Sequence, residues 1–438
     1  MTAFGNTDMG EDENKPDNES EEERPVVRPL EAIPVRQGER VSVLLKDPEG
    51  LSEEVLQVSR EAFFVIALMD GNHTITDIQA EFARTFGTLI YSDDIKGLVR
   101  SLDEHKLLDN ENYKEWRRSI EEEFVAASRR PAMYAGGAYP ADGRDLRRML
   151  DGFFAESDSK SEDTNGPPTA VVAPHISLER GRKSFALAYS ALRSIRTPAT
   201  VFLLGTCHMP MRRPFALTAK TFETPIGETE SDAESVGRLK RAVPWICEAE
   251  FSHRREHSIE FQVLFLRYVF DDAPVRIVPI LCGSFAEMMH AGGAPDSDPQ
   301  VKEALDALGE TVRSAENPVI IASADLSHVG SRFGDRVKVS DEFLNWLRGE
   351  DERTLEHVVR GDAEGFWRDI ADEGDRRKIC GLPPIWTLLK LLPEKASGTL
   401  LSYEQSPEPE ANSVVTFAAV AWRQGNEEQK EAKGDDGR

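Results

Sequence analysis

Four short apolar runs constrain the fold most: "AVVAPH", "TVFLLGTCH", "VRIVPILCG" and "PVIIASADLSH", spaced between Ala170 and His328. Each is rich in β-branched residues, and helical patterns such as "RKSFALAYSALRSI" and "EHSIEFQVLFLRYVF" separate them. That alternation implies an α/β domain built around a largely buried sheet. "GTLLSYEQS" and "SVVTFAAVAW" are two further strand candidates that extend or flank it. The chain shows no internal repeat and no Gly-rich phosphate loop.

With 438 residues, 39% of them hydrophobic, the chain exceeds one typical domain and can bury a sizeable core. Residues 1–24 hold nine acids and two bases and read as a disordered acidic tail, as does 424–438. Residues 25–115 form a small domain and 130–423 the α/β domain. "ESDSKSEDTNGPP", Glu156 to Pro168, reads as a surface loop. The net charge of -25 excludes nucleic acid and anionic membranes as natural partners. The N-terminus lacks the apolar segment of a secretory signal, and no run approaches the roughly 20 apolar residues of a membrane helix. Four cysteines, Cys207, Cys247, Cys282 and Cys380, do not make a secreted disulfide framework, which points to a reducing cytoplasm.

Helical periodicity marks three short helices in the first domain, one around Phe63 and Ile66, one over Thr76 to Phe86, and one after Ser92 read as its N-cap. They suggest a winged-helix-like module. Residues 51–110 carry eleven acids and five bases, so peptide or protein docking, or a purely structural role, fits better than DNA.

Three histidines end strand candidates: His175, His208 and His328. In open α/β sheets chemistry gathers beyond the carboxyl ends of the strands, so these imidazoles can converge. Imidazole and carboxylate at one edge hold a transition metal or move protons. Asp325 in "SADLSHVG" either caps its own turn or joins such a site. His257 opens an amphipathic helix with Glu260 on the same face. Glu256 and Glu260 suit the positive end of a helix dipole and a cationic His257 does not, which marks His257 for an acid–base or supporting role. Cys380 in "KICGLPPI" lies in a tight turn, as a buried thiol or a thiolate ligand. Cys207 beside His208 is open to either role. His73, His105, His253, His290 and His357 are read as structural or solvent-facing.

From about Arg130 to Trp422 the chain resembles the Memo family, which includes the prokaryotic AmmeMemoRadiSam system protein B. "AYPADGRDLRRML", "APH", "LGTCH", "TPIG", "EHSIE", "SADLSHVGSRF", "ICGLPPI", "SYEQS" and "SVVTFAA" carry the resemblance, in the family's order. It implies the mixed sheet flanked by helices of the class III extradiol dioxygenases, non-haem iron enzymes that open catechol rings. It further implies a metal pocket of His175, His208 and Cys380 for an iron or copper ion. Asp325, His328 and His257 would surround it, with His328 as the acid–base histidine. A thiolate ligand favours copper or iron over magnesium or calcium. Two stretches depart from the family: "PHISLERG" stands where members read Pro-His-Ala-Gly-Tyr, and Cys207-His208-Met209 where they often read Ser-His-His. The first domain, through "EAFFVIALMDGNHTITDI" and "LVRSLDEHKLLD", is similar to the PqqD-like winged-helix domains that recognise leader peptides.

Two functions fit. The first is a metal-dependent oxidoreductase in which His328 shuttles protons and Asp325 orients it. The second is a non-catalytic protein whose pocket holds a peptide or a metal while the first domain recruits a partner, such as a radical SAM protein of the same system. The substrate, small molecule or peptide, stays unassigned. A hydrolytic reading, with His328 or the pair of Cys207 and His208 as nucleophile and base, ranks last, because neighbours on a strand point to opposite faces unless the strand ends there.

Overall fold

The computed structural model describes residues 23–37, 40–52, 54–157, 166–393 and 396–423. The tail read at 1–24 falls outside these up to residue 22, as do 158–165 of the polar stretch and the tail 424–438. The chain divides into two compact units, with the boundary between Glu123 and Phe124.

In the first unit β1 (Glu31–Gln37), β2 (Arg40–Lys46) and β3 (Val55–Ser59) form an antiparallel sheet in that order. Helices α1 (Arg60–Ala67), α2 (Ile75–Phe86) and α3 (Ser92–Glu104) follow, then α4 (Glu111–Ala126), within which the boundary falls. Helical periodicity finds α1 to α3 but does not reach the three strands. Thr74 and Asp77 close a capping box on α2, and Gly87 ends it in the left-handed conformation. For α3 the N-cap is Tyr91 and not Ser92, which is the first helical residue. Val43, Leu45, Ile66, Ile78, Phe82, Ile95 and Leu102 make the core of this unit.

The second unit contains, in chain order, β4 (Arg129–Arg130), α5 (Gly143–Glu156), β5 (Pro168–Ala173), α6 (Leu178–Leu192), β6 (Ala199–Thr206), β7 (Phe215–Leu217), β8 (Thr221–Thr224) and β9 (Gly227–Thr229). It continues with α7 (Ala233–Ala242), α8 (His257–Phe270), β10 (Val275–Cys282), α9 (Ala286–His290), α10 (Pro299–Ser314), β11 (Val319–Ser323) and β12 (Asp325–Gly330). The last elements are α11 (Asp341–Val359), α12 (Ala363–Ala371), α13 (Leu382–Leu391), β13 (Gly398–Glu408) and β14 (Ser413–Arg423). The main sheet runs β12-β14-β5-β11-β6-β10-β7, with β13 also paired to β14. Its centre, β5-β11-β6-β10, is parallel, and β14 and β7 flank it antiparallel.

Each central strand is apolar on both faces because both are covered. Phe202 and Leu204 of β6 point into one core with Ile280, Phe366, Trp386 and Leu389, while Val201 and Leu203 point into the other with Phe185, Tyr189 and Phe265. Phe265 stacks on Phe185 with ring centroids 4.5 Å apart, so Phe265→Ala would cost about 3–5 kcal/mol. No helix among the described residues is long and apolar enough to cross a membrane.

One sequence reading needs correction. "PVIIASADLSH" is two strands: β11 ends at Ser323 within the parallel sheet, and β12 leaves at Asp325 to pair antiparallel with β14. His328 therefore lies inside β12 and does not terminate a sheet strand. The break is held at Asp325, whose carboxylate accepts the His175 and Ile176 amides while its carbonyl accepts the Gly381 amide. Gly381 permits that approach, since a Cβ there would lie 2.3 Å from the Asp325 carbonyl oxygen.

Candidate metal centre

Three parallel strands deliver side chains to one edge at the same offset. His175 follows the end of β5 by two residues, His208 the end of β6 by two, and Asp325 the end of β11 by two. α8 leads into β10, so it runs antiparallel to the strands and places its first residue, His257, at the same edge. Gly205 lets this happen: a Cβ there would lie 2.6 Å from Ser258 Oγ. Cys380 arrives in the turn before α13.

His175, His208 and His257 each offer a ring nitrogen, and these atoms lie within 4.8 Å of one another. Among the described residues this is the one such group of three. The His208 and His257 rings stack at 4.7 Å between centroids, and the His175 ring stands edge-on to both, at 5.0 and 5.4 Å. Cys380 Sγ lies 3.3 Å from His175 Nε2, and Asp325 Oδ2 lies 3.7 Å from the same nitrogen. Cys380 thus stands beside the group that the resemblance gives it a share in, and His257 joins as a further donor. His328 is outside the group: its ring packs edge-on against Phe333, and its Nδ1 lies 3.0 Å from the Leu326 carbonyl oxygen.

Outer partners orient the rings. His175 Nδ1 lies 3.1 Å from the Ser323 carbonyl oxygen, which makes Nδ1 the donor and leaves the Nε2 lone pair facing Cys380. His208 Nδ1 is held 3.0 Å from Glu256 Oε1, and His257 Nδ1 lies 3.3 Å from the same oxygen. Behind them a buried chain runs from Tyr189 OH to Gln262 Oε1, from Gln262 Nε2 to Ser323 Oγ, and from Ser323 Oγ to the Ser258 carbonyl. A satisfied network of this kind fixes the backbone on which the imidazoles stand.

Burial, with His208 and His257 nearby, holds the His175 pKa well below its ordinary value. Burial likewise lowers His257 to about 4 and His328 to about 4. Burial alone would lower His208 too, but the Glu256 carboxylate outweighs it and raises the pKa. Burial pushes Asp325 up to about 7 despite the two amides it accepts, and pushes the Cys380 thiol well above its ordinary value. Neutral imidazoles with oriented lone pairs are the form a transition metal requires, and a thiol beside them deprotonates on ligation. The donor set therefore fits a borderline or soft metal and lacks the oxygen ligands of a magnesium or calcium site.

Two acids that read as helix-dipole partners are buried. Glu256 caps α8 at the Ser258 amide, and Glu260 pairs with buried Arg130 while accepting the Met133 and Tyr134 amides and the Tyr139 hydroxyl. Cys207 and His208 both lie past the end of β6. Burial raises the Cys207 thiol to about 12 and it donates to the Met209 carbonyl, so it is no poised nucleophile. His253 is buried with Nε2 2.9 Å from the Ala216 carbonyl, a structural role.

A cleft of about 420 Å³ opens beside His208 and Cys380. A depression of about 390 Å³ at the opposite end of β6 sets Asp232, Glu234 and Glu316 among Arg238 and Arg276 and holds neither histidine nor cysteine.

Residues 130–421 match a family model described as Memo-like protein. A MEMO1 family protein of Aquifex aeolicus is 27% identical over 382 residues, covering 86% of this chain and 95% of the relative. One from Thermus thermophilus is 27% identical over 348 residues, covering 79% and 98%. One from Thermococcus kodakarensis is 31% identical over 305 residues, covering 67% and 99%. The first two cover more than lies beyond Arg130, so their similarity extends into the first unit.

Proposed function

The chain belongs to the Memo-like family, and on that premise we propose that it is a metal-dependent oxidoreductase of dioxygenase-like type, using non-haem iron or copper. The observation that carries the proposal is the convergence of His175, His208 and His257, with Cys380 beside them, at the carboxyl edge of the parallel strands. On this reading His175 and His208 hold the ion with Cys380, and His257 is a further donor. A bound iron or copper ion supplies the one-electron chemistry that side chains lack.

The chain's own residues position and move protons. Asp325 fixes the His175 loop through two amides, and its carboxyl, pushed up to about 7 by burial, can exchange a proton near neutral pH. His328, with Nδ1 turned to a carbonyl, keeps Nε2 as an acceptor, in keeping with a proton shuttle. The first unit is on this reading a docking module for a peptide or partner protein.

Protein purified without air should contain iron or copper and consume oxygen with catechol-like compounds. A bound metal without oxygen uptake across such compounds would favour a non-catalytic binding protein.

A further inference from the structure

The cleft beside His208 and Cys380 lies within the usual range of small-molecule sites, about 300–1,000 Å³. Phe285, Met289, Ile379 and Leu382 line its apolar sides. Phe285 is buried and set edge-on to Trp386 at 5.7 Å, so one side is rigid, while half-exposed Met289 can adapt. His208, Lys378 and His290 are the nitrogen-bearing groups on the lining. The acid on the lining is Asp375, whose Oδ1 already accepts the Ile379 amide.

The loop that forms this side and carries Cys380 is built in a costly conformation. Asp375 and Lys378, neither of them glycine, have φ of 47° and 52°. Buried Arg377 between them pins the loop from behind, through Asp351 at 2.8 Å, Glu373 at 2.5 Å and Thr354 Oγ1 at 2.9 Å. Lys378 is held in turn by Asp335 at 2.5 Å. Strain kept in place by a buried ion network is the mark of a preformed wall.

We infer that this cleft seats a small organic molecule with an apolar, ring-sized body and a single anionic oxygen group. The body lies between Phe285, Met289, Ile379 and Leu382, and the anionic group at the His208 end. The sign of that group rests on the lining, where His208, His290 and Lys378 face the single acid Asp375, and its seat beside His208 rests on the metal reading of the imidazole pocket. The apolar body does not rest on it.

The test is calorimetric titration of the full, metal-loaded chain with 3-phenylpropionate, propionate and 3-phenylpropylamine, with metal content measured on each sample. Burial of the ring should make 3-phenylpropionate bind at least about tenfold more tightly than propionate, and the amine should bind more weakly by a similar factor. Met289→Trp, and Ala286→Trp at an exposed position on the same lining, should each weaken 3-phenylpropionate at least about tenfold with metal content unchanged. Equal binding of the acid and propionate, or no effect of either filling substitution, overturns the cleft. Equal binding of acid and amine overturns the anionic group. Absence of metal from the wild type defeats the metal reading, while a ring preference lost in both filled variants would still uphold the apolar site.

Discussion

Glu256 holds His208 twice, accepting its backbone amide at 2.9 Å and lying 3.0 Å from its ring Nδ1. The same carboxylate caps α8 at the Ser258 amide and lies 3.3 Å from His257 Nδ1. One buried side chain thereby sets two of the three imidazoles.

Glu256→Gln should keep the fold and lose much of the metal. The amide removes the negative charge that both rings face, and outer partners of this kind are worth about 10–100-fold in metal affinity. A chelator-competition titration checks this; unchanged affinity in Glu256→Gln would mean that Glu256 is only a helix cap.

Asp325 holds the His175 backbone amide as Glu256 holds that of His208. Asp325→Ala strands the buried amides of His175 and Ile176, and each stranded donor costs about 1–3 kcal/mol. Asp325→Asn keeps an acceptor there and should recover most of that loss. Urea unfolding of the two variants distinguishes them, and equal stability would show that the amides find other partners.

The strand ends were legible because their apolar runs stop two residues before His175 and His208. The break at Ala324 was not, since "PVIIASADLSH" reads as one strand-like run and the cause lies in contacts to Asp325 from His175 and Gly381, 150 and 56 residues away. Glu256 and Glu260 at the start of an amphipathic helix look like surface acids. Their burial depends on His208 and Arg130, which local pattern cannot see. His257 could be placed at a helix N-terminus from sequence, but its arrival beside His175 needed the antiparallel course of α8 against the sheet. In the first unit the helices announce themselves by period, whereas β1, carrying Pro34, and the charged ends of β2 obscure the strands.

Acid should destabilise the fold partly through His253. Burial holds its folded pKa to about 3, against about 6.5 when unfolded. Between those values the unfolded chain binds a proton that the folded chain refuses, so stability is full above about pH 6.5 and is lost as pH falls toward 3. His253→Gln, whose amide can still donate to the Ala216 carbonyl, should reduce proton uptake on unfolding at pH 5 by about one proton. Unfolding free energies measured from pH 4 to 7 check this, and parallel slopes for the two proteins would contradict it.

The most direct test is metal stoichiometry on protein purified without air, comparing wild type with His208→Ala. About one iron or copper per wild-type chain is expected, with a fall to about a tenth or less in His208→Ala at the same free metal, since each oriented imidazole contributes well over tenfold in affinity. A metal-free wild type, or equal metal in His208→Ala, would contradict the metal reading.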